Sequence, residues 1–561
     1  MTFDLLVRNA RVIDGTGAPA FVGDVAVRAG KIVEVGKVAG GAKRVIDAAG
    51  QVVAPGFIDL HTHLDAQLLW DPLASSSCWH GITTAVLGNC SFGIAPCRPK
   101  DRRYLLHTLE RVEGMSLKAL EAGVDWSWET YPQYMDRIGQ RLGMNIAALV
   151  GHSAVRQYVM GEAAAERAAT ANEIAGMRGV MQDALDAGAY GMSFNFLPAH
   201  NGGDGRPIPC RLANVDEVMA MTSLMRGSKS GGRGGAIQMS DTIKGEDPLD
   251  LCDRIGRASD CAVWWIPLLQ FDSQPGVWQR RLAQTQAQVA AGSHARAMCT
   301  SRSVDIMFNM RNVHILDGMP AWKAMLVKPA DQVMADMRDP AVRSALRRDF
   351  ADKSNVIHFS RRWDMVEVIE VRKPSLKPLE ARKIADIAAE QGRDALDVFL
   401  DLCVEDGLQT DFLTVLANSD EAAAAEMLRH PDTLIGLSDA GAHAALECGY
   451  GFTTYLLGHW VRELKIMPLE QAVRKLTSQL ADQLGLADRG RIRPGLMADL
   501  VIFDPDTVNM QRPVPAFDFP GGAKRFVQRA DGISHTIVNG EVFMEHGEHA
   551  GSYAGQLLRR R

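Results

Sequence analysis

Gly56-Phe57-Ile58-Asp59-Leu60-His61-Thr62-His63-Leu64-Asp65 is an apolar run that ends in two histidines one residue apart. Strand side chains alternate with a period of two, so His61 and His63 project from the same face at the strand's C-terminal end. Two imidazoles side by side are half of a metal site, although two solvated rings on a surface strand share the pattern. The remaining sequence decides between these readings.

Strand-like runs recur at 81–87, 145–150, 191–194, 236–239, 262–266, 297–300 and 433–437, separated by helical stretches and turn residues. With the histidine strand they make eight. Leu469, Ala472, Val473, Leu476, Leu480 and Leu484 lie at helical spacing along one stripe. Strands alternating with helices predict an α/β fold, a (β/α)8 barrel of the TIM type over 56–485, with its active site at the C-terminal ends of the strands. His61 and His63 stand at such an end. The stretch 302–430 exceeds a simple strand-to-helix connection and carries Met307, Met310, Met319, Met325, Met334 and Met337. It reads as an insertion, its methionines serving either as core filling or as a lid over an apolar substrate.

Residues 1–55 are short alternating segments punctuated by Gly15-Thr16-Gly17 and Gly40-Gly41, and similar texture returns over 486–561. Fragments of this kind cannot bury a face alone. The two ends are therefore expected to form one composite β-sandwich, with the barrel inserted into it.

Composition narrows the function. At 561 residues, with 47% hydrophobic and 23% charged, the chain can bury a large core. A net charge of -6 and the short terminal Arg559-Arg560-Arg561 give no basic footprint for nucleic acid. Met1-Thr2-Phe3-Asp4-Leu5 is unlike a secretory leader and no apolar run reaches spanning length, so no membrane partner and a cytoplasmic location are expected. Nine scattered cysteines suit a reducing compartment better than a disulfide framework. The expected partner is a small-molecule substrate, and homo-oligomer formation stays open.

Several motifs now combine: Leu6-Val7-Arg8-Asn9-Ala10-Arg11-Val12-Ile13-Asp14-Gly15, the His-x-His strand, Gly88-Asn89-Cys90, Gly151-His152-Ser153, Ser438-Asp439, and Arg489-Gly490-Arg491-Ile492-Arg493-Pro494-Gly495 leading to Ala498-Asp499-Leu500. Over nearly its whole length the chain resembles the amidohydrolase superfamily, and within it the N-acyl-D-amino-acid deacylase (D-aminoacylase) group. The resemblance implies that Asp439, after the last barrel strand, binds metal and handles protons. It also implies that Cys90, after the second, is a metal ligand. On residues alone, Ser-Asp-Ala-Gly is a common turn and a cysteine is most often buried packing.

Two departures matter. The group supplies a histidine from each of the fifth and sixth strands, where this chain has Ala236-Ile237-Gln238-Met239-Ser240-Asp241 and Trp264-Trp265-Ile266-Pro267-Leu268-Leu269-Gln270. A carboxylated lysine bridging two metals is also closed, because no lysine lies between Lys118 and Lys229. The expected ligands are thus His61, His63, Cys90 and Asp439 around one divalent ion. Mixed N, S and O donors suit zinc best, with iron, cobalt and manganese open.

The group's carboxylate-reading arginine, shortly after the catalytic aspartate, has no counterpart from Ala440 to Tyr450; the next arginine is Arg462. His152, His443 and Gln238 are candidates for substrate contact, and each histidine could equally orient a loop. Trp264 and Trp265 read as core packing or as an apolar wall. The expected reaction is hydrolysis of a linear non-peptide amide, an N-acyl amino acid or related N-acyl amine, with Asp439 as general base and then acid. A cyclic amide or ester hydrolase of the same fold, and a ligand-binding barrel with impaired turnover, are the alternatives.

Overall fold

The computed structural model describes residues 2–226, 235–311, 313, 315, 316, 318–352, 359–444, 446 and 448–560. Lys229, which bounds the lysine-free stretch, lies outside them. Two compact units are present, one of Met1–Leu268, Trp278–Arg302 and Ala425–Arg561, the other of Leu269–Val277 and Ser303–Ala424.

In the first unit the eight barrel strands are Phe57–Asp59 continuing as His61–Thr62, Ile82–Leu87, Asn145–Gly151, Gly191–Asn195, Ala236–Ser240, Ala262–Ile266, Ala295–Cys299, and Leu434–Ile435 continuing as Leu437–Ala440. Neighbours pair in parallel in chain order. The ring closes where Leu437 pairs with His61 and Ala440 with Thr62. Most of these strands are buried at every residue, because helices cover one face and the barrel interior the other. Their sequences therefore read as continuous apolar runs. Trp264 is fully buried and Trp265 nearly so, which makes both core residues.

The apolar stripe is carried by two helices, Leu469–Leu476 and Ser478–Leu484. Thr477 breaks it, its hydroxyl turning back to the Val473 carbonyl, while Ser478 Oγ donates to Gly15 O. Ala472, Val473, Leu476, Leu480 and Leu484 stay buried across the break.

Strands from both ends of the chain share one nine-stranded sheet in which Val52–Pro55 lies between Phe3–Val12 and Leu500–Phe503. The sheet is mixed, since Phe3–Val12 runs parallel to Ala42–Asp47 and to Val52–Pro55. A buried polar network ties it to the barrel. Arg489 Nη1 lies 2.5 Å from Asp499 Oδ2, Asn145 Nδ2 donates to the same oxygen at 3.0 Å, and the Asn539 backbone N–H donates to Asp499 Oδ1 at 2.7 Å. Asn145 begins the third barrel strand.

The second unit has its own core, with Met310, Met319, Met325 and Met337 among its buried members. Val304–Phe308, Asp411–Ala417 and Val366–Glu370 form a three-stranded antiparallel sheet there. The methionines thus fill a core, as flexible thioethers commonly do. Among the described residues, no helix is long and apolar enough to cross a membrane.

Burial pushes the Asp499 carboxyl up and only the Arg489 guanidinium and neighbouring donors pull it back. Arg489→Met should leave that carboxylate uncompensated and cost about 3–5 kcal/mol in chemical denaturation; a loss near zero would show that the network does not hold sheet and barrel together.

Candidate metal centre

Where the first strand ends, His61 and His63 are almost completely buried with their rings at 5.3 Å between centroids. Barrel closure brings the last strand to them. Asp439 Oδ1 lies 3.4 Å from His61 Nε2 and 3.2 Å from His63 Nε2. Cys90 Sγ approaches His61 Nε2 at 3.4 Å from the end of the second strand. Among the described residues, His61, His63 and Cys90 form the one group whose metal-ligating atoms all lie within 4.8 Å of one another.

Local backbone geometry presents these groups. Cys90 and Asp439 both adopt the left-handed region, at φ 52° and 60°, a conformation that costs a non-glycine residue about 1–3 kcal/mol and persists only where its surroundings hold it. Gly88, just before Cys90, passes so close to the third strand that a Cβ would lie 1.9 Å from Leu149 O. Below the cluster, Asp59 accepts from Ser438 Oγ and, at 3.2 Å, from the His61 backbone N–H. The first and last strands are joined directly under the ligands.

The electrostatics are those of buried anions seeking a cation. Burial alone would lower the His61 pKa, but Cys90 and Asp439 outweigh it and raise it to about 9. Burial would also raise the Cys90 thiol, yet the two histidines bring it down to about 6. Asp439 resists the upward push of burial and falls well below the usual carboxylate range because both imidazoles donate to it. Deprotonated sulfur and carboxylate facing two imidazoles are a fitting donor set for a divalent metal, whose charge replaces that of the ring protons.

The other side of Cys90 is occupied by protein. Its backbone N–H donates to Gln238 Oε1 at 2.7 Å, Gln238 Nε2 donates to Ser240 Oγ at 2.8 Å, and that hydroxyl lies 3.2 Å from Cys90 Sγ. Gln238 is therefore engaged with Cys90 and Ser240 in this structure. Half-buried His443 is near Asp439 and His63, and its backbone N–H donates to Glu113 O. His152 is elsewhere: its Nε2 lies 3.1 Å from Glu217 and its Nδ1 3.3 Å from Cys210 Sγ, in a pocket shared with buried Arg156. No contact recorded among the described residues joins it to the cluster.

Two further neighbours were not singled out from the sequence. Glu113 is buried with Oε2 3.7 Å from His63 Nε2, and burial raises its pKa although His63 opposes this. It closes the helix Arg102–Glu113 before Gly114, an unfavourable place for an acid at a helix C-terminus and thus a faint clue. His200, held by Asn195 Nδ2 at 2.7 Å, is driven down to about 4 by burial and by His443 and His63.

The Amidohydrolase family model matches residues 44–544, and the chain belongs to that family. It is 29% identical to a D-aminoacylase of Alcaligenes xylosoxydans xylosoxydans, covering 100% of this chain and 98% of the relative. A solved D-aminoacylase described by its binuclear metal centre, with one-metal activation and second-metal attenuation, is 28% identical at a TM-score of 0.67, each chain covered to 100%. An N-acyl-D-glutamate deacylase from Bordetella bronchiseptica, complexed with zinc and a phosphonate mimic of the tetrahedral intermediate, is 25% identical at a TM-score of 0.64, again over 100% of both chains.

The thiols of Cys97 and Cys210 are pushed up to about 12, and those of Cys261 and Cys299 to about 11, by burial. In metal-stripped protein at pH 7, Cys90 should therefore be alkylated ahead of these, with a rate that falls as pH drops through 6 and with protection by added zinc. Mass-spectrometric mapping checks this; uniform labelling, or labelling indifferent to zinc, would contradict the placement of Cys90 in a metal centre.

Proposed function

We propose that the protein is a metal-dependent hydrolase of linear, non-peptide amides, an N-acyl amino acid or related N-acyl amine, with His61, His63, Cys90 and Asp439 holding one divalent ion, zinc by preference. The observation that carries this reading is the single Asp439 oxygen facing both imidazole Nε2 atoms beside the Cys90 thiolate. The family membership and the deacylase relatives support the reaction class.

A bound divalent cation supplies Lewis acidity toward the amide carbonyl. Asp439, half-exposed and ionised, accepts a proton from the attacking water at its free oxygen. It then returns that proton to the departing amine as the tetrahedral intermediate collapses. His61 and His63 fix Asp439 in position, and Asp59 with Ser438 fixes the strands that carry all three. The low pKa makes Asp439 a weak base without a cation nearby, which suits a water already acidified by its surroundings.

The choice of one ion rests on the flank of Cys90. The fifth strand presents Gln238 and Ser240 there, hydrogen-bonded to each other and to Cys90, and the sixth sets Trp264 and Ile266 in register beside them. Neither strand offers a second ligand set, and the third and fourth contain no lysine. The D-aminoacylase relative is described as attenuated by a second metal. Here activity should rise with the first equivalent of zinc and stay level with further equivalents; a fall at moderate excess would argue for a second site.

Asp439→Asn should keep the melting temperature within a few degrees while lowering turnover of N-acyl amino acids about 10²–10⁴-fold. Turnover close to that of the unaltered protein would remove Asp439 from the chemistry.

A further inference from the structure

Cys90 stands in a tight turn over residues 89–92, closed by the Phe92 backbone N–H donating to Asn89 O at 3.0 Å. Both central residues, Cys90 and Ser91, are left-handed, at φ 52° and 63°. Turns with two left-handed central residues are dominated by glycine, asparagine and aspartate, so a Cys-Ser pair does not favour one by itself. Contacts from outside the turn have to hold it.

We propose that Ser193, on the fourth barrel strand, is a positioning residue of the metal centre, its hydroxyl fixing the turn that aims Cys90 Sγ at the ion. This rests on the metal-dependent reading above.

The hydrogen bonds have fixed directions. A backbone N–H can only donate, so Ser193 Oγ accepts from the Ser91 N–H at 2.9 Å, and its own proton goes to Gly88 O at 2.6 Å. One hydroxyl thus bridges the backbone from two residues before Cys90 to the residue after it. The Cys90 N–H goes to Gln238 Oε1 at 2.7 Å. Asn89 Nδ2 donates to Thr62 O at 3.2 Å, between the two histidines, which ties the turn to the strand that carries them.

Barrel register explains why a serine stands at this place. Ser193 pairs with Gly151 on one side and with Gln238 on the other. In-register neighbours in a sheet point to the same face, so the three form one layer against the turn. Gly151 leaves the space that the backbone needs, since a Cβ there would lie 2.5 Å from Ser91 O. Gln238 reaches Cys90, and Ser193 between them has the length to reach Gly88 and Ser91. Ser193, Ser91 and Asn89 are completely buried. Removing the hydroxyl therefore strands the Ser91 N–H and Gly88 O away from bulk water, and the turn shifts to satisfy them, carrying Sγ with it.

Ser193→Ala and Ser153→Ala in the full-length protein test this. Ser153 Oγ lies 2.8 Å from Ser91 Oγ and accepts from the Cys210 N–H, so the second variant also removes a buried hydroxyl beside Ser91 but leaves the backbone bridge intact. Zinc affinity is read by competition with a chromophoric chelator, and the placement of Cys90 by the sulfur-to-metal charge-transfer band of the cobalt(II)-loaded protein. Ser193→Ala should weaken zinc binding about 10–100-fold, the usual scale for losing a contact that orients a metal ligand, and should shift or weaken the band. Ser153→Ala should leave both unchanged, even where the two variants lose the same melting temperature. Zinc affinity and band both unaltered by Ser193→Ala, or an equal loss of affinity in Ser153→Ala, would overturn the role of Ser193 alone. A cobalt form of the unaltered protein without a sulfur band would take Cys90 out of the metal centre, and would overturn the metal reading together with this one.

Discussion

The pairing of the first barrel strand with the last, His61 with Leu437 and Thr62 with Ala440, is the contact on which the site depends. It brings the only ionised carboxylate of the ligand cluster within 3.4 Å of two imidazoles from the opposite end of the catalytic chain segment. The closure is reinforced from below by Ser438 and Asp59, and from the side by the left-handed backbone at Cys90 and Asp439. A one-residue slip in that register would turn His61 and His63 away from the shared face.

Closure also gathers charge. A thiolate and a carboxylate are confined with two imidazoles in a space from which water is largely excluded, beside Glu113, whose carboxyl burial raises to about 8. In water such a group of anions would be unremarkable; in the barrel mouth it needs positive charge in its midst. The direction of each shift, both histidines up, Cys90 and Asp439 down, expresses that need. The same confinement explains the division of labour around Cys90. One flank faces the imidazoles, and the other is closed by the Gln238 amide and the Ser240 hydroxyl.

Much of this was legible in the sequence, for physical reasons that differ from residue to residue. The eight strands could be found because burial on both faces leaves continuous apolar runs, and His61 and His63 because strand periodicity is strict. Asp439 and Cys90 carry no such signal; they were placed by resemblance to a family, and the structure brings them to the histidines through closure of a ring that no local pattern encodes. Glu113 and His200 were invisible because they enter from a helix end and a loop. The break at Thr477 leaves no trace in the sequence because the apolar stripe continues across it, and the mixed pairing of the terminal sheet leaves none because a strand's sequence does not state the direction of its neighbour. His152, for which substrate contact and the orienting of a loop were equally open, has its ring beside Glu217 and Cys210.

The central claim is that barrel closure builds a centre for one metal ion, with the second position given over to Gln238 and Ser240. Elemental analysis of the full-length protein, equilibrated with excess zinc and then freed of unbound ion by gel filtration, measures this most directly. The account predicts one zinc per chain, falling to a small fraction of that when His61 and His63 are replaced together by alanine. Two ions per chain, or one that survives loss of both histidines, would contradict it.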